Sequence, residues 1–286
     1  MFEIKEIKAK SILVPSKLPG CDYVINCYTG CRFGCSYCYA SFMGRFVDKK
    51  ISDWGEYVYA KINAPELLRE EISKLRNKGQ GKTILLSSVT DPFQAVEVKY
   101  KLSERCLGIL ADYGFEGEVS ILTKSPLVLN VLHILKKLKD VDVGFTVTTT
   151  DDEISRYFEK FAPPSSKRLE ALKKLNKEGI KTYAFVGPLL PHFVSNKEEL
   201  ERLFSAISKS GTKRIFVEHI NLSTYIKERM LMELKDTNKE FLEKFYSSQS
   251  KDYRDELNNI IMGLVKKYRF ELLHPIIFHK EEKSKA

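Results

Sequence analysis

Hydrophobic and polar positions along this chain follow two alternating periods. Six short apolar, β-branched runs are Tyr23 to Asn26, Thr83 to Val89, Val119 to Thr123, Val143 to Thr149, Thr182 to Val186 and Ile215 to Ile220. They lack the in-out alternation of a half-exposed strand and predict strands buried on both faces. Between them the spacing changes to that of a helix. Asn63, with Glu66 three positions later, reads as an N-cap that places Leu68, Ile72 and Leu75 on one face. Leu102, Cys106, Ile109, Leu110 and Tyr113 form a second stripe. Asn196 with Glu199 repeats the capping pattern before Leu200, Leu203 and Ile207, and Gly179 stands where a helix reaching Lys177 must stop.

Strand and helix in alternation require right-handed crossovers and a parallel sheet. Six units are too few for a closed eight-stranded barrel, so the expected fold is α/β, a partial (βα)6 TIM-type barrel over residues 21–222 behind an N-terminal segment, 1–20. After residue 222 the strand signal stops. Residues 223–286 read as a helical C-terminal extension, with Tyr253, Leu257, Ile260, Ile261, Leu264, Val265 and Tyr268 as an apolar stripe and Lys280 to Ala286 as a disordered tail.

Composition narrows the setting. The chain has 286 residues, 43% of them hydrophobic, enough to bury a substantial core. Glu3, Lys5, Glu6, Lys8 and Lys10 interrupt any secretory h-region, and no segment approaches the roughly 20 apolar residues of a membrane span. A cytoplasmic protein without membrane partners follows, and its six cysteines are then ligands, reactive groups or buried thiols before they are disulfides. The formal net charge of +9 suggests a polyanion, but residues 1–50 carry eight Lys/Arg against four Asp/Glu and residues 223–286 thirteen against eleven. No run concentrates it, which supports nucleic-acid binding only weakly and a solvated Lys/Glu surface better.

Candidate chemistry starts in the segment Gly30-Cys31-Arg32-Phe33-Gly34-Cys35-Ser36-Tyr37-Cys38-Tyr39, directly after the first strand. Three thiolates in a C-x3-C-x2-C loop cannot complete a structural zinc site or a fully ligated [4Fe-4S] cluster, both of which take four protein ligands. They leave one iron open to chelation by another molecule. The spacing resembles that of the radical S-adenosylmethionine (SAM) superfamily, in which such a loop follows the first strand of a partial barrel. Tyr23-Val-Ile-Asn-Cys-Tyr-Thr-Gly-Cys31, Asn63-Ala-Pro-Glu-Leu-Leu68, Thr90-Asp-Pro-Phe93, Leu122-Thr-Lys-Ser125 and Ala162-Pro-Pro-Ser-Ser-Lys-Arg-Leu-Glu170 resemble the DNA repair photolyase-like group, relatives of spore photoproduct lyase, over residues 20–222. The resemblance implies an enzyme with a [4Fe-4S] cluster on Cys31, Cys35 and Cys38 that binds SAM and cleaves it to a 5′-deoxyadenosyl radical. It also implies a low-potential electron donor, a ferredoxin or flavodoxin.

Parallel barrels place chemistry at the C-terminal ends of their strands. Those ends supply Ser87, Ser88, Thr90 and Asp91; Thr123 and Lys124; Thr146, Thr148 and Thr149; Gly187 and Pro188; and Glu218, His219 and Asn221. Lys124 suits the SAM carboxylate, Thr146 and Thr148 its ribose, and the backbone at Val186-Gly187-Pro188 its adenine; the resemblance supports Lys124 and Thr146. Tyr37, Ser88, Thr90 and Asp91 complete the candidate cofactor set. This chain departs from that relative at Ser88, which, three residues before Asp91, stands where spore photoproduct lyase carries the cysteine that returns a hydrogen atom to the product radical. A serine O–H bond is too strong for that transfer, so the candidate hydrogen donors are Tyr39 or Tyr37, or Cys27 and Cys21 as a donor or redox pair near the cluster. Cys106 reads as core, and alternation allows only one of Glu218 and His219 to face the cavity. The substrate stays open among a DNA lesion, an RNA, a peptide and a metabolite. The non-catalytic alternative is an iron-sulfur or zinc protein that uses the loop as a staple.

Overall fold

The structure, a computed structural model, describes residues 2–191, 197–233, 243 and 245–277. The strands are β1 (Glu3–Ile7), β2 (Leu13–Pro15), β3 (Tyr23–Ile25), β4 (Tyr28–Thr29), β5 (Tyr57–Lys61), β6 (Thr83–Leu86), β7 (Glu118–Thr123), β8 (Asp140–Thr146), β9 (Lys181–Leu189), β10 (Arg214–His219) and β11 (Glu271–Leu272). The helices are α1 (Ala64–Ile72), α2 (Glu97–Tyr100), α3 (Leu102–Tyr113), α4 (Leu132–Leu135), α5 (Asp152–Phe158), α6 (Ser165–Lys177), α7 (Lys197–Lys209), α8 (Thr224–Glu233) and α9 (Lys251–Tyr268).

All six expected strands form, and they pair in chain order: β3, β6, β7, β8, β9 and β10 lie side by side and parallel. β2 adds antiparallel to β3 at one end and β11 adds parallel to β10 at the other, so the sheet is an open, partial TIM-type barrel. Burial on both faces holds for β8, where Val143 and Phe145 are fully enclosed and Asp142, just before them, is buried too; β6, β7 and β10 instead alternate between buried and half-buried positions, because one of their faces is covered less completely.

Several boundaries differ from the periodicity. β6 stops at Leu86 and β8 at Thr146, because the chain beyond turns over the barrel mouth; Ser87 there takes a positive φ of 68°. β9 runs on through Gly187 to Leu189 and pairs with β10 across an irregularity between Val217 and His219. A Cβ at Gly187 would meet the Glu218 side chain at 2.9 Å, so packing alone requires glycine there. Strands also occur where none was expected: β1, β4 and β5 form a separate small sheet, and β11 lies in the C-terminal segment. These pieces are short and mostly polar or isolated, and they acquire ladder bonds only from partners remote in sequence.

The helices match their stripes. Leu68 and Ile72 of α1, Cys106, Leu107 and Leu110 of α3, and Leu200, Leu203 and Ile207 of α7 are buried. Gly179 has a φ of 77° after α6. Asn63 stands at the N-cap position of α1 as expected, but its side chain makes no capping bond; it bonds the N–H and C=O of Ala9 at 2.8 and 2.9 Å and ties the N-terminal segment to α1. Asn196, His192, His279 and the tail from Lys280 lie outside the described residues. Among the described residues no helix is long and apolar enough to cross a membrane.

Candidate active site

The cysteine loop leaves the sheet after β4 and is held from several directions. Gly30 has a φ of 86° and lies so close to Tyr57 that any side chain would collide with its carbonyl. Its own carbonyl accepts from the Thr90 hydroxyl at 2.6 Å and from the Gln94 amide at 3.3 Å, while Gln94 Oε1 takes the N–H of Arg32 at 2.8 Å. On the other side the end of α5 clamps the loop: Ser36 N–H donates to the Phe158 carbonyl at 2.9 Å and Phe161 N–H to Phe33 at 3.3 Å. Loop and barrel rim are thus one unit before any ligand arrives.

Within it the thiols of Cys31, Cys35 and Cys38 face inward, Cys31 and Cys35 in fully buried residues. Cys35 and Cys38 act electrostatically on Cys31, and Cys38 on Cys35, so the three thiols share one neighbourhood. Burial raises all three thiols, Cys35 to about 12, and Lys124 opposes the rise at Cys35 and Cys38. Among the described residues no three His, Cys, Asp or Glu side chains gather as they do around a single metal ion. Three soft donors on one enclosed loop, next to cations, fit the corner irons of a [4Fe-4S] cluster, whose thiolates stand apart from one another.

A buried charge network that sequence reasoning did not assign lies behind the loop. Glu159, just past α5, is 0% exposed; it accepts from the hydroxyl of Tyr37 and pairs with the guanidinium of Arg168, also 0% exposed. Lys124 Nζ stands 3.9 Å from the same carboxylate and 5.8 Å from the centre of the Tyr37 ring. Arg168 further donates to the carbonyls of Pro163 and Thr146 at 2.8 and 3.1 Å. Burial pushes the Glu159 carboxyl up, but Arg168 and Lys124 outweigh it and hold it below the usual range. Burial likewise disfavours the Lys124 charge, yet Cys35 and Glu159 keep that lysine protonated. Arg168 and Lys124 thus bring two cations to an enclosed site beside the thiols, balanced in part by Glu159 and Asp91, a setting that favours thiolates and an anionic ligand group. The only sequence signal was Arg168 at the position of an otherwise apolar helix face, where long polar residues seldom stand.

The other expected site residues divide into two sets. Asp91 is committed to scaffolding: Oδ1 accepts from Phe93 N–H at 2.9 Å and Thr123 hydroxyl at 2.7 Å, and Oδ2 from Lys124 N–H at 2.8 Å, which joins the ends of β6 and β7. Thr90 clamps Gly30, as above. Tyr37 and Thr146 serve Glu159 and Arg168. By contrast, Ser87 Oγ and Thr148 Oγ1 are buried polar atoms that have no hydrogen-bond partner, an arrangement that is costly unless a ligand completes it. Ser88 faces the rim, where Asn26 donates to its hydroxyl at 3.3 Å and accepts its N–H at 3.0 Å. The hydroxyl of Tyr39, a residue 48% exposed, donates to the Ser88 carbonyl. Of the neighbouring pair on β10, Glu218 acts on Tyr39 and His219 packs against Tyr253 of α9 with ring centres 5.9 Å apart. Cys27 is not brought to this set. Its thiol lies 3.7 Å from that of Cys106 on α3, both fully buried, whereas Cys21 donates to the carbonyl of Tyr23 at 3.0 Å.

Residues 25–207 match the Radical SAM superfamily. An uncharacterized protein of Methanocaldococcus jannaschii is 37% identical over 221 residues, which cover 77% of this chain and 79% of that protein. Among solved structures, spore photoproduct lyase complexed with dinucleoside spore photoproduct superposes with a TM-score of 0.71 at 13% identity, over 98% of this chain and 82% of that one. A mutant of the same enzyme with bound AdoMet and dinucleoside spore photoproduct gives 0.69 at 15% identity, over 96% and 81%. At such identity these structures speak for a shared fold. With the superfamily match spanning most of the barrel and including its cysteine loop, the chain belongs to the radical SAM superfamily.

Proposed function

We propose that this protein binds a [4Fe-4S] cluster through Cys31, Cys35 and Cys38, holds SAM at the open iron, and uses the resulting radical to remove hydrogen from a substrate at the barrel mouth. The observation that carries the reading is the enclosed thiol loop with the protonated Lys124 of the Glu159 pair acting on Cys35, at a barrel mouth whose strand ends also carry the buried, unpartnered hydroxyls of Ser87 and Thr148. When bound, the cluster supplies one electron that breaks a carbon–sulfur bond of SAM and yields a 5′-deoxyadenosyl radical; a low-potential donor of the ferredoxin or flavodoxin class replaces that electron. A zinc staple is the poorer reading, since three cysteines on one loop fall short of the four protein ligands that a structural zinc takes.

The chain's own residues have distinct tasks. Lys124 takes the SAM carboxylate, and Glu159 holds that lysine at the rim until the ligand arrives. Ser87 and Thr148 bond the ribose, and the β9 backbone at Gly187 meets the adenine. Tyr39 stores a transferable hydrogen: its O–H bond breaks as a C–H bond forms on the product radical, and the donor protein's electron with a solvent proton restores the phenol. Residues 21–222 form the catalytic core and 223–286 its extension.

The substrate proposed first is a lesion in DNA, because spore photoproduct lyase shares the fold. Ser88, where the resemblance expects a donor cysteine, directs the hydrogen return to Tyr39. The test is anaerobic reconstitution followed by assay for dithionite-dependent 5′-deoxyadenosine. Iron and product should both vanish in Cys35→Ala. Retention of both in that variant would overturn the assignment, and stimulation by DNA that weakens steeply with salt would support the substrate class.

A further inference from the structure

Arg229 belongs to α8, outside the barrel repeat, yet it is only 2% exposed and its guanidinium enters the cysteine loop. Nη1 donates to the Ile51 carbonyl at 2.8 Å, and Nη2 donates to the carbonyls of Gly34 and Trp54, each at 3.3 Å. Gly34 directly precedes Cys35, and the side chain of Trp54 hydrogen-bonds the Cys38 sulfur. One helical turn earlier, on the same face of α8, Tyr225 donates to the Tyr39 carbonyl at 3.0 Å, just after Cys38. The helix therefore grips the main chain on both sides of the last two thiols. A second contact follows the same logic: Phe245 packs on Phe158, ring centres 6.3 Å apart, and the Phe158 carbonyl accepts the N–H of Ser36.

A planar fork that donates to three carbonyls at once fixes their relative positions as no single-point donor can. It also sets a permanent positive charge at the edge of the thiol loop, where an added electron is stabilised by a nearby cation. We propose, resting on the cluster reading above, that Arg229 is a positioning residue for the cluster: it locks the loop that carries Cys35 and Cys38 and raises the cluster's reduction potential, which makes α8 an integral wall of the site.

The experiment uses the full chain, reconstituted anaerobically, as wild type, Arg229→Met, Arg229→Lys and Tyr225→Phe. Three quantities are read: the midpoint potential from an EPR-monitored titration, the rate of iron loss to a chelator, and the melting temperature before reconstitution. Arg229→Met should move the midpoint to a more negative value and speed iron loss about tenfold or more, the usual scale for removing an outer partner of a metal ligand. Arg229→Lys keeps the charge but not the fork, so its potential should stay near wild type while iron loss still accelerates. Tyr225→Phe should speed iron loss with the potential unchanged. Wild-type potential and iron retention in Arg229→Met, or a change confined to the melting temperature, overturn the proposal. If Arg229→Met does not fold, Arg229→Lys decides it: iron retention equal to wild type overturns the clamp. A wild-type protein that takes up no iron refutes the cluster reading instead, a result visible before any variant is compared.

Discussion

The hydroxyl of Tyr37, in the cysteine loop, donates to the carboxylate of Glu159, and the same carboxylate carries the buried guanidinium of Arg168. Two residues 122 positions apart in the chain thus join the cluster loop to the turn between α5 and α6. Removing the anion leaves Arg168 and Lys124 facing each other in an enclosed site. Glu159→Gln, which preserves shape, should therefore cost about 3–5 kcal/mol of stability, the range for breaking a buried pair. Urea denaturation of the unloaded protein measures it, and a loss below about 1 kcal/mol would show that the network is well solvated.

The same carboxylate fixes a pH dependence. Its folded-state pKa is held below the ordinary carboxylate value by Arg168 and Lys124. Its contribution is present above the unfolded-state value and disappears as pH falls through the lower folded-state value. The unfolding free energy of the wild type should drop more steeply below about pH 4.3, the ordinary Glu value, than that of Glu159→Gln. Parallel acid profiles for the two proteins would sink this account.

Lys124 offers the ligand a protonated amine beside Cys35. Lys124→Ala should weaken SAM binding to the loaded protein by about 1.5–3 kcal/mol, the worth of a charge-assisted hydrogen bond, or roughly tenfold to a hundredfold in Kd. Lys124→Arg should recover only part of this, since Arg brings a larger planar head into a space sized for an ammonium. Titration calorimetry under anaerobic conditions reads both. Unchanged affinity in Lys124→Ala would return this lysine to a purely structural pairing with Glu159.

Tyr39 has its hydroxyl on the Ser88 carbonyl and its ring half exposed at the rim. Tyr39→Phe should leave the rate of 5′-deoxyadenosine formation within about twofold, while substrate-derived radical goes astray and the intended product falls about a hundredfold or more, by analogy with the lower range for loss of a proton-transferring side chain. Product analysis against cleaved SAM separates the two. Equal loss of both would mean that Tyr39 shapes the loop and transfers nothing.

Cys27 makes its contact with Cys106 in the layer between sheet and α3. Cys27→Ala should retain iron and SAM cleavage and lose stability by roughly 1 kcal/mol, as an ordinary core truncation does. A variant of normal stability that makes 5′-deoxyadenosine but no product would restore Cys27 as hydrogen donor.

What the sequence by itself determined was whatever depends on near neighbours. Short apolar runs and period-3.6 stripes are local, so all six barrel strands and helices α1, α3, α6, α7 and α9 were legible, and three thiols within eight residues marked a candidate ligand set without any fold. Tertiary structure decided the rest, because it depends on which remote atoms meet. Only folding brings Glu159 to Tyr37, Arg168 to Thr146 and Arg229 to Gly34. Only folding spends Asp91 and Thr90 on holding the loop while it leaves Ser87 and Thr148 open, and draws Cys27 to Cys106. A charged side chain reads as surface in a sequence, since burial is costly for an isolated ion; whether a partner waits for it inside is settled by the packing of distant elements alone.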